Sequence, residues 1–114
     1  LIASELLKRK LIKKKEEVKN YFYHGLGHDL GLDTHDAVPF TNGKKSDFDT
    51  FKEGYLVTIE PGVYFSKDSN ECPSKFKGIG VRIEDNVLVT KTGCKVLTSN
   101  LEKEAEEVER LVRH

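Results

Sequence analysis

Three of the chain's four histidines, His24, His28 and His35, fall within twelve residues in the stretch HGLGHDLGLDTHD. Imidazoles gathered this way suit metal ligation or proton transfer near neutral pH, whereas any one of them alone is more simply a surface or hydrogen-bonded core residue. His24 and His28 stand four apart, a spacing that on a helix would aim two ligands along one face. Gly25, Gly27 and Gly31 argue against a helix here, and no glutamate follows His24, so a zincin-type helical site is excluded. Extended or looping backbone must present these rings.

Two acids complete the set. In YLVTIEPG an apolar strand runs into Glu60 and then Pro61-Gly62, a pair suited to the centre of a type II turn. A carboxylate ending a buried strand needs something cationic to receive it, while one at an exposed strand end needs nothing. In VRIE the two-residue period sends Arg82 and Glu84 to one face, about 7 Å apart, either as a solvent-facing ion pair or into a shared cavity. Each feature alone has an ordinary explanation, and it is their joint occurrence that points to a site.

The positioning elements follow from periodicity. Residues 1 to about 19 place Ile2, Leu6, Leu7 and Leu11 at helical spacing with a lysine-rich opposite face, which predicts an amphipathic surface helix. Tyr21 to Asp36 reads as strand and close-packed loop, and Pro39 to Gly54 as a polar surface loop with an Asn42-Gly43 turn signal and room for a short helical turn. Strands are expected over Tyr55 to Glu60, Val81 to Glu84, Val87 to Thr90 and near Lys95 to Leu97, with Ser66 to Lys77 as a connection. A last helix should start from a Ser99/Glu102 capping box and carry the stripe Leu101, Ala105, Val108 and Val112.

Composition narrows the classes. Lysine plus arginine and aspartate plus glutamate both total 19, so no net field steers the chain toward nucleic acid or an anionic membrane. No apolar run approaches the roughly 20 residues a spanning helix needs, and the expectation is a soluble, cytoplasmic protein with no membrane partner. Cys72 and Cys94 form no CxxC pair and are expected as free thiols. The chain opens at Leu1 inside a helical pattern, which suggests a fragment.

The segments HGLGHDLGLDTHD, TIEPGVYF and GIGVRIEDNVLVT resemble successive signature strands of the pita-bread metallopeptidases, the family that holds aminopeptidase P, prolidase, creatinase and methionine aminopeptidase. The resemblance runs from about Tyr23 to Thr98. It implies an α+β fold, the C-terminal half of a pita-bread, with helices packed on a curved, mostly antiparallel sheet and residues 1–114 forming the C-terminal part of a catalytic domain. It also implies that His28 and Glu60 ligate one metal and that Glu84 bridges two. His35 would donate toward the scissile carbonyl, His24 would line the proline pocket, and Arg82 would orient acids or substrate.

One imidazole among carboxylates favours Mn2+, with Zn2+ or Co2+ also able to occupy the site. A water shared by two such cations becomes acidic enough to supply hydroxide near neutral pH, with Glu60 placed to shuttle its proton. The expected reaction is release of the N-terminal residue from peptides with proline in second position. The family's two remaining ligands, a pair of aspartates on an upstream hairpin, have no counterpart here, because Asp29, Asp33 and Asp36 lie inside the histidine motif. The 114 residues alone are therefore expected to be inactive.

The methionine aminopeptidase branch lacks the HGLGH opening. The wording of SKDSNECPSKFKGIGVRIEDN is closer to the aminopeptidase P branch than to prolidase, which remains the alternative. Family members commonly form homodimers. A non-catalytic binding module of the same fold is the reading from another class, and retention of His28, Glu60, Glu84, His24 and His35 argues against it.

Overall fold

A computed structural model describes residues 1–36 and 51–113. The polar loop expected from Pro39 to Gly54, with its Asn42-Gly43 turn, lies for the most part outside the described residues, as does His114. The class is α+β: among the described residues there are two short α-helices and two small antiparallel sheets. The chain divides into two compact units, one made of Leu1–Gly25 with Pro61–Ile83 and the other of Leu26–Glu60 with Glu84–His114.

In the first unit, helix α1 spans Ile2–Lys8 and is followed by a 3-10 helix over Lys15–Asn20. The single helix expected over residues 1 to 19 is therefore interrupted. Lys10 adopts φ 56°, the left-handed conformation that ends helices. Around it the amide of Leu11 bonds the carbonyl of Leu6 and that of Lys10 bonds Leu7, both at 2.9 Å, the paired bonds of a Schellman motif. The reversal lets Ile12 join Leu6 in a core with Tyr21 and Cys72, all 5% exposed or less, flanked by Val63, Phe65 and Phe76. A straight helix would have carried Ile12 past that core.

Strand β2, Gly62–Tyr64, pairs antiparallel with β3, Gly80–Arg82, in the register Gly62 to Arg82 and Tyr64 to Gly80. The type II turn expected at Pro61-Gly62 is absent, since Gly62 is not among the described glycines with positive φ and begins a strand instead. Likewise the strand expected from Val81 to Glu84 ends at Arg82, so Arg82 and Glu84 do not share a strand face. Ile79, Val81 and Ile83 are 47, 57 and 44% exposed.

In the second unit β1, Leu56–Ile59, lies beside β4, Asp85–Thr90, which in turn pairs with β5, Gly93–Val96, all antiparallel. Helix α2, Ala105–Val112, starts later than expected and has no side-chain cap. The Ser99 box does not form because Lys103 gathers this segment into a turn. Its ammonium donates to the carbonyls of Thr98 and Leu101, at 3.0 and 3.1 Å, and pairs with Asp85 at 3.1 Å. Thr98 also donates its hydroxyl to Asp85. Cys72 and Cys94 are both free. Among the described residues no helix is long and apolar enough to cross a membrane.

Candidate metal centre

Residues 26–30 run antiparallel along the free edge of β1. The amide of Glu60 bonds the carbonyl of Leu26 at 2.7 Å, that of Thr58 bonds His28 at 2.8 Å, and that of Leu30 bonds Leu56 at 2.9 Å. This ladder is why a glycine-rich stretch can hold a side chain in place: its backbone is fixed by a strand that β4 holds from the other side. It brings His28 level with Thr58, so the imidazole stands beside Glu60 two residues on.

His28 Nε2 lies 3.3 Å from Glu60 Oε1, and His28 Nδ1 lies 3.0 Å from the carbonyl oxygen of Asp29. A carbonyl can only accept, so Nδ1 carries a proton, and Nε2 is the ring atom aimed at the carboxylate oxygen. At that separation either a proton on Nε2 or a cation can join the two groups. Glu84 supplies the third donor: one ligand atom each from His28, Glu60 and Glu84 lies within 4.8 Å of the others. Glu60 is buried at 7% exposure, which costs an ionised carboxylate dearly unless a positive charge compensates it. The donor set thus fits a divalent cation of intermediate hardness, and all three residues belong to the second unit.

His35 belongs to the same unit, its ring centroid 4.2 Å from that of His28. His24 and Arg82 belong to the first unit. There His24 Nε2 meets the Tyr64 hydroxyl at 2.8 Å and Nδ1 meets the Gly25 carbonyl at 2.7 Å. The Tyr64 ring fits because Gly62 and Gly80 flank it: a Cβ on either would come within 2.9 Å of that ring or its hydroxyl. Arg82 sits on β3 opposite Gly62 and is exposed. Sequence reasoning passed over Tyr64 and Thr58. Both lie inside TIEPGVYF, and Thr58 shares the strand parity of Glu60, the signal that could have singled it out.

A cavity of about 500 Å3 is lined by Leu26, Asp29, Asp36, Phe51, Val57 and Ile59 among others. Strand alternation turns Val57 and Ile59 away from Thr58 and Glu60, but His28 and Thr58 also line the cavity, so it extends to the metal-donor side. Asp29 Oδ2 is buried there with no hydrogen-bond partner among the described residues. Burial, and then the neighbouring Asp36, push the Asp29 carboxyl above its ordinary range, with His28 opposing.

The model of metallopeptidase family M24 matches residues 3–91. The chain belongs to this family. Among its M24 relatives, the Xaa-Pro aminopeptidase of Haemophilus influenzae is 41% identical over 99 residues, covering 87% of this chain and 22% of that protein. Intermediate cleaving peptidase 55, mitochondrial, of Arabidopsis thaliana is 37% identical over 114 residues, covering the whole chain and 22% of that protein. The solved structure of Pseudomonas aeruginosa aminopeptidase PepP superposes with a TM-score of 0.87 at 35% identity, covering 98% of this chain and 26% of that one. Zinc-substituted Escherichia coli aminopeptidase P in complex with product gives 0.83, also at 35% identity, with the same coverage of both chains. These M24 likenesses place the chain with aminopeptidase P in fold, and the chain spans about a fifth to a quarter of the length of the proteins it matches.

Proposed function

We propose that this chain is part of a metal-dependent aminopeptidase that removes the first residue from peptides with proline in second position. The observation that carries the reading is the convergence of His28 Nε2, a buried Glu60 and Glu84 in a member of a metallopeptidase family, with Xaa-Pro aminopeptidases among its relatives. In this reading His28, Glu60 and Glu84 would hold divalent metal, Glu84 would be shared between two ions, Mn2+ would be preferred, and the two aspartates that complete the set would come from elsewhere in a longer protein.

Divalent cations bound there would supply Lewis acidity and an acidified water. The chain's own groups do the rest. Glu60 takes up and returns a proton at its carboxylate, and its burial keeps that exchange away from bulk water. His35, beside His28, donates a hydrogen bond to the carbonyl that precedes proline. His24, its Nε2 fixed by Tyr64, contributes to the proline pocket, and Arg82 orients acidic groups or the peptide carboxylate. The three donors of this chain by themselves would hold an ion weakly, which accords with the expected inactivity of the isolated 114 residues.

The test is metal analysis and kinetics of the full-length protein on an Xaa-Pro dipeptide and an Xaa-Pro-Xaa tripeptide. Metal-dependent release of the first residue from the tripeptide, abolished in His28→Ala and in Glu60→Gln, is expected. Cleavage of the dipeptide alone would make the protein a prolidase. Absence of metal-dependent turnover would end the reading.

A further inference from the structure

Thr58 is 1% exposed and lies between two of the three candidate ligands. In a regular antiparallel pair the amide of Thr58 would bond the carbonyl of His28 and the amide of His28 would bond back to the carbonyl of Thr58. Only the first bond is present, at 2.8 Å. The amide of His28 goes instead to the Thr58 hydroxyl oxygen at 2.9 Å. The Thr58 carbonyl lies against Gly27, where a Cβ would stand 2.0 Å from its oxygen.

The hydroxyl has a single hydrogen to give. It can reach Glu60 Oε1 at 3.2 Å or the His28 carbonyl at 3.4 Å. The first is shorter, the carboxylate is the stronger acceptor, and the carbonyl is already satisfied by the Thr58 amide. A directed chain results, from the His28 amide through the Thr58 hydroxyl to Glu60 Oε1, the same oxygen that faces His28 Nε2 at 3.3 Å. One side chain therefore sets the position of His28 along β1 and also fixes the direction of the Glu60 carboxylate.

We propose that Thr58 is a positioning residue of the metal centre, pre-forming two ligands at once by replacing a ladder bond with its hydroxyl. This rests on the metal-site reading above. It predicts that the hydroxyl, not the volume of the side chain, governs affinity. Thr58→Val keeps the volume and deletes the hydroxyl, whereas Thr58→Ser keeps the hydroxyl and deletes the methyl group.

The experiment is titration of metal-free full-length protein with Mn2+ by calorimetry, together with visible absorption of the Co2+ form, for the parent and both variants. Thr58→Val should bind Mn2+ about 10- to 100-fold more weakly, the usual effect of losing a partner that orients a ligand, and should show an altered Co2+ spectrum. Thr58→Ser should keep the parent's affinity and spectrum even where its metal-free form melts at a lower temperature.

Parent-like binding by Thr58→Val, or equal weakening in both variants, overturns the inference while leaving the metal centre intact. Failure of the parent to take up Mn2+ or Co2+ overturns both. If Thr58→Val does not fold, Thr58→Ser decides alone: parent-like affinity supports the inference, and a tenfold loss refutes it.

Discussion

Replacing Gly27 with alanine tests how rigidly the metal donors are framed. The added carbon would sit 2.0 Å from the Thr58 carbonyl oxygen and 2.9 Å from its carbon. Gly27 is not among the described glycines with positive φ, so the penalty is steric and owes nothing to backbone conformation. An ordinary contact requires a separation greater by roughly 1.4 to 2 Å. Thr58 cannot give way easily, because its neighbours Val57 and Ile59 lie within the β1–β4 pairing. The displacement must fall on residues 26–28, whose bonds to Glu60, to the Thr58 amide and to the Thr58 hydroxyl measure 2.7, 2.8 and 2.9 Å.

Losing two or three such bonds at about 1 kcal/mol each gives a destabilisation of about 2–3 kcal/mol. His28 would swing off Glu60 in the same movement. Urea denaturation of the metal-free full-length protein and Mn2+ calorimetry should show both losses. Gly93→Ala, with nothing within 4 Å of the added carbon, is the control and should stay within about 0.5 kcal/mol of the parent. A Gly27→Ala protein as stable as that control, with unchanged Mn2+ affinity, would refute the claim that this glycine holds the histidine strand in place.

Two further outcomes follow from local geometry. Lys10→Gly removes the left-handed strain of a residue at φ 56° and should stabilise the protein by about 1 kcal/mol, read as a higher melting temperature, whereas Lys10→Ala should bring no gain. The Thr98 hydroxyl holds the Asp85 carboxyl below its ordinary value of 3.8; burial opposes it, and the hydrogen bond and charge of Lys103 add to the lowering. A carboxylate with a lowered folded-state value adds stability that is fully present above 3.8 and is lost as pH falls through that lowered value. Asp85→Asn should therefore be less stable than the parent at neutral pH, and the difference should close on acidification below 3.8; a gap that does not depend on pH would count against the Asp85 network.

The residues with ligand chemistry were legible because their types are rare and their segments specific: three histidines among glycines, and two acids in strand-like settings, each within a motif resembling one family. The end helices and the strands carrying Thr58 and Val87 were legible from apolar periodicity. What was hidden depends on tertiary context. Nothing in a lysine announces φ 56°, so the break after Lys8 was unreadable. Pro61-Gly62 reads as a turn until Gly62 is seen to make room for Tyr64. Ser99 and Glu102 have the right spacing for a cap, but Lys103 bends that segment toward Asp85. Thr58 looked like one more β-branched strand residue: its parity with Glu60 places it on the donor face, but does not show that its hydroxyl substitutes for a backbone carbonyl.

The alternating Ile79, Val81 and Ile83, in and flanking β3, have a practical consequence for anyone handling the protein. β3 has β2 on one side and, among the described residues, no strand on the other, so a sheet margin lies beside exposed apolar side chains. Such a margin is a template for intermolecular strand addition. Concentrated samples of these residues should therefore clump, and a charged replacement such as Val81→Lys is the simplest remedy.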